Sequence, residues 1–223
     1  MSYSRYAIYY LTTDDALADF GASWLGWDVR SGREVAQFDL PGLRDITMTP
    51  RKYGFHATLK PPFRLAEGAS VDQLSTAAMN LATALSPAAC GGLRVTRLGH
   101  FLALTPSGDG QKLRPIADRC VTRLDDLRAP STDAEIDRRR AVGLTPRQDG
   151  LLKRWGYPYV MEDFRFHMTL TGRLPDATAR DWQRRMEDHL PPLPPRFSLD
   201  RITLCGERSD GNFEVLEHYA LTG

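Results

Sequence analysis

Cysteine is scarce and unclustered: Cys90, Cys120 and Cys205 stand far apart, with no Cys-x-x-Cys pair and no Cys/His group. Three scattered thiols argue against a disulfide framework and against a zinc site, and point to reduced, mostly buried side chains. Lysine is also nearly missing, since the 29 basic residues are 25 Arg and only Lys52, Lys60, Lys112 and Lys153. Net charge is close to absent, at +1. A general basic surface on duplex nucleic acid is therefore not the source of any affinity. No stretch approaches twenty apolar residues, and Met1-Ser-Tyr-Ser-Arg5 leads straight into strand-like text rather than an apolar leader. Membrane spanning and secretion are disfavoured, and a cytoplasmic setting with no membrane partner is expected.

What is present is ordinary globular material, 42% hydrophobic and 26% charged over 223 residues. A chain of that length buries roughly 70% of its unfolded surface and needs no staple. The arginine surplus suits bidentate capture of phosphate or carboxylate, although a bias towards Arg codons gives the same count.

Tyr6 to Leu11 is a β-rich run, and Thr12/Thr13 before Asp14 opens a helix over 14–26, with Leu17, Phe20, Trp24 and Leu25 on one face. A polar stretch from Val29 to Pro50 follows. Gly54 to Lys60 reads as a strand stopped by Pro61-Pro62, 71–85 as a helix capped by Ser70, and 93–98 as a strand. The second half repeats the order: strand 101–104, helix 113–127 with Pro115 in its first turn, strand 165–170, helix 178–190 ended by Pro191-Pro192, and strands 197–204 and 213–221. The expected architecture is a single α+β domain over 1–223, a duplicated fold of two lobes. Each lobe is an antiparallel sheet backed by helices, with a cleft between them. Lobe one covers about 1–99 and lobe two about 100–223. Residues 129–160 are extra, two short helices starting at Ser131/Thr132 and at Thr145-Pro146, followed by the aromatic turn Trp155-Gly-Tyr-Pro-Tyr159. That insert reads as a packed connector or as a flap over a polar cleft.

The repeat is sharpest at Tyr53-Gly-Phe-His-Ala-Thr-Leu-Lys60 and Phe164-Arg-Phe-His-Met-Thr-Leu-Thr171, which share Phe-His-x-Thr-Leu. Strand alternation puts Phe55, Ala57 and Leu59 on one face and His56, Thr58 and Lys60 on the other. The second copy sets Phe166, Met168 and Leu170 opposite Arg165, His167, Thr169 and Thr171. Apolar faces pack inward, so the imidazoles and hydroxyls line the cleft together. Two histidines and two hydroxyls without a nearby carboxylate suit phosphodiester cleavage. One imidazole takes a proton from the nucleophile, the other protonates the leaving alkoxide, and Thr58 and Thr169 hydrogen-bond the non-bridging oxygens. His100, His189 and His218 read as ordinary. No spacing supports a metal site, and no metal or other cofactor is expected.

Paired His-x-Thr segments on a duplicated α+β scaffold resemble the 2H phosphoesterase superfamily. Pro50-Arg-Lys-Tyr-Gly-Phe-His-Ala-Thr-Leu-Lys-Pro-Pro-Phe63, Leu144-Thr-Pro-Arg-Gln148 and Arg154-Trp-Gly-Tyr-Pro-Tyr-Val160 resemble its DUF1045 branch, associated with phosphonate metabolism. The resemblance covers essentially the whole chain and implies a metal-independent phosphodiesterase with His56, Thr58, His167 and Thr169 as its catalytic set. It suggests a small phosphorylated substrate, ribose 1,2-cyclic phosphate 5-phosphate, with no obligate protein partner. A second phosphate would need its own anion site, for which Lys60, Arg165, Arg51 and Arg64 are candidates, the first two favoured by their face. Tyr53 and Tyr157 are candidates for contacting a sugar. Two other readings stay open: an RNA 2′,3′-cyclic phosphodiesterase or 2′-5′ ligase-like enzyme, which the near-neutral charge disfavours, and a non-catalytic sensor of cyclic phosphates.

Overall fold

A computed structural model of the protein describes residues 3–223. The chain runs β1 (Tyr6–Tyr10), α1 (Asp15–Leu25), β2 (Trp27–Asp28), β3 (Arg33–Glu34), α2 (Leu43–Arg51), β4 (Ala57–Phe63), α3 (Val71–Thr83), β5 (Ala88–Gly91), β6 (Leu93–Leu98) and β7 (Phe101–Pro106). It continues with α4 (Arg114–Arg123), α5 (Asp133–Arg140), α6 (Pro146–Trp155), β8 (Met168–Thr169), α7 (Asp176–Glu187), β9 (Arg196–Leu199), β10 (Arg201–Glu207) and β11 (Phe213–Ala220). The helix starts follow local chemistry. Asp14 accepts from the Leu17 amide, while Ser70 with Gln73, Thr132 with Glu135 and Thr145 with Gln148 each close a reciprocal capping box. Helix α2 was not expected, because Thr-Met-Thr-Pro has weak helical propensity. It forms with Thr47 fully buried and donating its hydroxyl to the Leu43 carbonyl at 2.7 Å.

Seven strands form one antiparallel sheet in the order β11-β10-β1-β4-β8-β7-β6. The repeat is visible in it: β1 lies beside β4, β7 beside β8, and the second strands of the two halves meet at the centre. The third strands are exchanged. β6 from the first half pairs with β7, and β10 from the second half pairs with β1. A lobe boundary at 99/100 is therefore not how the sheet divides, since each side of it draws a strand from the other half of the chain.

One face of the sheet carries the main core, in which Ile8, Leu59, Leu104, Met168 and Ile202 pack with Trp24, Leu74, Ile116 and Met186 from four helices. Each such side chain contributes about 1.5–3 kcal/mol by leaving water. The other face is only partly covered, by Tyr9, Trp27, Val29, Cys205 and Phe213 on the β1 side. Expected core positions Phe55, Ala57, Phe166 and Leu170 are all buried. Cys120 and Cys205 are buried and Cys90 partly so, all three unpaired. Strand β4 runs through Pro61-Pro62 instead of stopping there. Its antiparallel β8 neighbour begins only at Met168, across from Ala57, so the prolines leave no ladder bond unmade on that side.

Candidate active site

The two His-x-Thr segments meet at the sheet centre. Ala57, the middle residue of one, pairs antiparallel with Met168, the middle residue of the other. Continuing that register sets His56 across from Thr169 and Thr58 across from His167, all four on the uncovered face. The histidines are then diagonal neighbours, about 7–8 Å apart on the sheet. They line a cleft of about 620 Å³ together with Arg5, Tyr9, Tyr53, Phe101, Arg139 and Tyr157. That volume suits a small ligand.

Both rings are held the same way. His56 Nδ1 lies 2.9 Å from the Gly54 carbonyl and His167 Nδ1 lies 2.7 Å from the Arg165 carbonyl, each two residues back. A carbonyl only accepts, so Nδ1 carries the proton in both and Nε2 is the free basic atom when the ring is neutral. Thr58 Oγ1 lies 3.0 Å from His56 Nε2 and donates to it in that state. Gly54 reaches its place with φ +70, and a Cβ there would strike Val29 at 2.4 Å.

The surroundings differ. Tyr9 stacks on His56 with ring centres 3.7 Å apart, and Tyr53 lies 6.3 Å away. His167 has only Phe101, tilted at 5.7 Å. Burial pushes His56 down to about 4, with the positive form of His167 adding to the effect. Burial also lowers His167. Tyr9 is completely buried, its hydroxyl has no hydrogen-bond partner, and desolvation raises its pKa well above the ordinary phenol value.

Of the expected binding residues, Tyr53 and Tyr157 line the cleft, while the four basic ones do not. Two register shifts interrupt the β1–β4 pairing, and between Tyr9–Thr58 and Ile8–Lys60 the β4 strand carries an extra residue. This bulge inverts the alternation, so Lys60 turns to the helical side. There its Nζ donates to the Val121 carbonyl at 2.9 Å and to Asp125 at 3.1 Å. Arg51 is a staple between segments, donating to Leu25 O at 2.8 Å, Arg44 O at 2.9 Å and Gln37 at 3.1 Å. Arg64 is engaged by Pro130 O at 3.0 Å and Glu135 at 3.2 Å. Arg165 keeps the alternation, facing away from the core, but does not reach the cleft lining. Its side chain is exposed and its backbone carbonyl, not its charge, serves the site.

The sequence reading missed Arg5, Tyr9, Arg139 and His100, all of which line the cleft. Arg139 comes from the insert and sits 4.6 Å over the Tyr157 ring. Its signal, one Arg in a run of three, is indistinguishable from a solvated helix face. His100 reaches the cleft because the β6–β7 turn stands at its rim. Among the described residues no group of three or more His, Cys, Asp or Glu could hold a metal ion, and no helix is long and apolar enough to cross a membrane.

Comparison with known proteins gives three findings. The chain is 45% identical over 184 residues to a ribose 1,5-bisphosphate phosphokinase PhnN of Janthinobacterium sp. (strain Marseille), covering 80% of this chain and 41% of that protein. It is 35% identical over 198 residues to the protein of the same name in Laribacter hongkongensis (strain HLHK9), covering 83% and 44%. The chain thus spans less than half the length of these curated relatives. Among solved structures, E. coli LigT complexed with 3′-AMP aligns over 100% of both chains at 13% identity and TM-score 0.48. TT0787 of Thermus thermophilus aligns over 98% of both at 15% identity and TM-score 0.43. The family described as "Protein of unknown function (DUF1045)" matches residues 58–214. The chain belongs to the DUF1045 family.

Proposed function

We propose that the protein is a phosphodiesterase of the 2H type that opens a small cyclic phosphate by two-histidine acid–base catalysis. The observation that carries this reading is the pairing of Ala57 with Met168, with both Nδ1 atoms tied to backbone carbonyls. It leaves two Nε2 atoms and two hydroxyls around one point in the cleft. His56, the ring with its pKa pushed down to about 4, is neutral at pH 7 and acts as the base. It takes a proton from water as the water oxygen bonds to phosphorus. His167, in its imidazolium form, gives the Nε2 proton to the departing ring oxygen as that P–O bond breaks. A phosphate anion between the rings favours their charged forms and so supports the acid. Thr169, and Thr58 once its hydroxyl turns from His56 Nε2 to the bound phosphate, hold the non-bridging oxygens as negative charge builds.

Ribose 1,2-cyclic phosphate 5-phosphate is the substrate we favour. Water opening of its ring at O2 leaves ribose 1,5-bisphosphate, the compound that gives the longer relatives their name. The kinase activity of that name is not carried onto this chain, whose sequence has no Gly-Lys dipeptide and hence no Gly-x-x-x-x-Gly-Lys phosphate loop. The test is phosphorus NMR with chelator present. The panel is ribose 1,2-cyclic phosphate 5-phosphate, 2′,3′-cyclic mononucleotides and a cyclic-ended short RNA, with His167→Ala as control. Histidine-dependent opening of the ribose ring is the expected result. Opening of the RNA end alone moves the assignment to RNA termini, and binding without turnover moves it to a sensor.

A further inference from the structure

The basic side chains near the cleft are not equivalent in their partners. Arg5 is held by Glu207, Arg64 by Glu135, and both Arg128 and Lys60 by Asp125. Among the described residues, Arg138 and Arg139 have no carboxylate partner. Arg138 is exposed, whereas Arg139 is half-buried in the wall shared by the cleft and an adjoining recess. That recess is rimmed by Arg5, Lys60, Arg64 and Arg128, and carboxylates satisfy these cations but leave the site with surplus positive charge. An arginine that gives up water without gaining a carboxylate is costly unless an anion completes it. Burial accordingly works against its charge.

Orientation supports the same point. The Arg139 guanidinium carbon sits 4.6 Å over the Tyr157 ring, and its planar N–H fork suits a bidentate contact with phosphate. The Tyr53 and Tyr157 phenols both lie within electrostatic reach of Arg139, and Tyr53 is 6.3 Å from His56. Arg139 therefore shares the cleft wall with Tyr53 and Tyr157, two aromatic rings suited to flank a sugar. Arg173, which also lines the cleft without a carboxylate partner among the described residues, is exposed.

We propose that Arg139, oriented by Tyr157, grips a second phosphate on the substrate that does not react. The cleft then selects a small sugar bearing a phosphomonoester as well as the cyclic phosphodiester. This rests on the phosphodiesterase reading, so the experiment has a binding arm and a turnover arm.

In the binding arm, ribose 5-phosphate and ribose are titrated calorimetrically into wild type, Arg139→Ala, Arg139→Lys and Arg173→Ala. Binding of ribose 5-phosphate but not ribose is expected, weakened about 100-fold in Arg139→Ala and partly rescued by Lys. In the turnover arm, ribose 1,2-cyclic phosphate is compared with its 5-phosphate. Arg139→Ala should raise KM for the bisphosphorylated compound about 100-fold with little change in kcat, and should leave the compound lacking the 5-phosphate within twofold. Loss on Arg173→Ala instead, equal binding of ribose and its phosphate, or equal loss for both substrates would overturn the proposal. Should wild type bind ribose 5-phosphate through Arg139 yet open no ring, the subsite stands and the phosphodiesterase reading falls.

Discussion

The two copies of Phe-His-x-Thr-Leu differ most in what lies across the strand from them. Tyr9 faces Thr58 in the first copy, while Ala103 holds the equivalent place opposite Thr169 in the second. Tyr9 therefore covers His56 at 3.7 Å, whereas His167 meets only a tilted ring at 5.7 Å. Duplication supplied two identical imidazoles, and one substitution on a neighbouring strand is enough to make their environments unequal. In the proposed mechanism one ring must serve as base and the other as acid, and Tyr9 contributes to that distinction.

The comparison is broken most completely by removing either ring. His56→Ala and His167→Ala should each lower kcat/KM for the opened cyclic phosphate by about 10³-fold or more, and the double variant should be little worse than either single one. Strictly additive losses in steady-state kinetics would show the rings acting separately. The next effect concerns the last residues of the copies, Lys60 and Thr171. Lys60 is buried against Asp125, and Thr171 accepts from the Leu102 amide at 3.0 Å. Asp125→Ala strands a buried ammonium and should cost about 3–5 kcal/mol in urea unfolding, whereas Lys60→Met should be close to neutral. A neutral Asp125→Ala would contradict the inward turn of Lys60.

Making the first copy resemble the second gives an intermediate effect. In Tyr9→Leu the His56 ring loses its stacked cover, and its NMR titration midpoint should rise from about 4 by about one unit, carrying the acid limb of the rate profile with it. An unmoved midpoint would assign the depression to other groups. Stability should follow the same histidine. The unfolded ring binds its proton near pH 6.5 and the folded ring near 4. Stability therefore falls as pH drops through that window, by roughly 1 kcal/mol per unit, or about 2–4 °C in Tm. His56→Gln should flatten that slope. The smallest change is Tyr9→Phe, which removes a buried hydroxyl without a partner and should leave stability unchanged or raise it by about 1 kcal/mol. A clear loss of stability would reveal a partner for that hydroxyl.

Much of this was legible in the sequence because it rests on alternation. Phe55, Ala57, Phe166 and Met168 mark the buried face unambiguously, and with that face fixed the histidines and threonines had only one side to occupy. Tyr53 and Tyr157, candidates for contacting a sugar, line the cleft. Lys60 was misplaced because a bulge between Leu59 and Lys60 has no glycine or asparagine to announce it. Arg139 could not be told from Arg138 and Arg140 in the sequence, because what distinguishes it is the ring of Tyr157, distant along the chain. The exchange of third strands was hidden too, since the order of elements along a chain does not state their order in a sheet.

That exchange has a consequence for how the molecule comes into being. On a ribosome, β4 emerges soon after its neighbour β1, but the outer edge of β1 stays open until β10 is made, almost two hundred residues later. Such distant pairing slows folding and leaves an adhesive strand edge exposed during synthesis. Neither half can complete its own sheet without a strand lent by the other, so the molecule is built as a fused, reciprocally swapped pair whose sheet is finished only when β10 and β11 arrive.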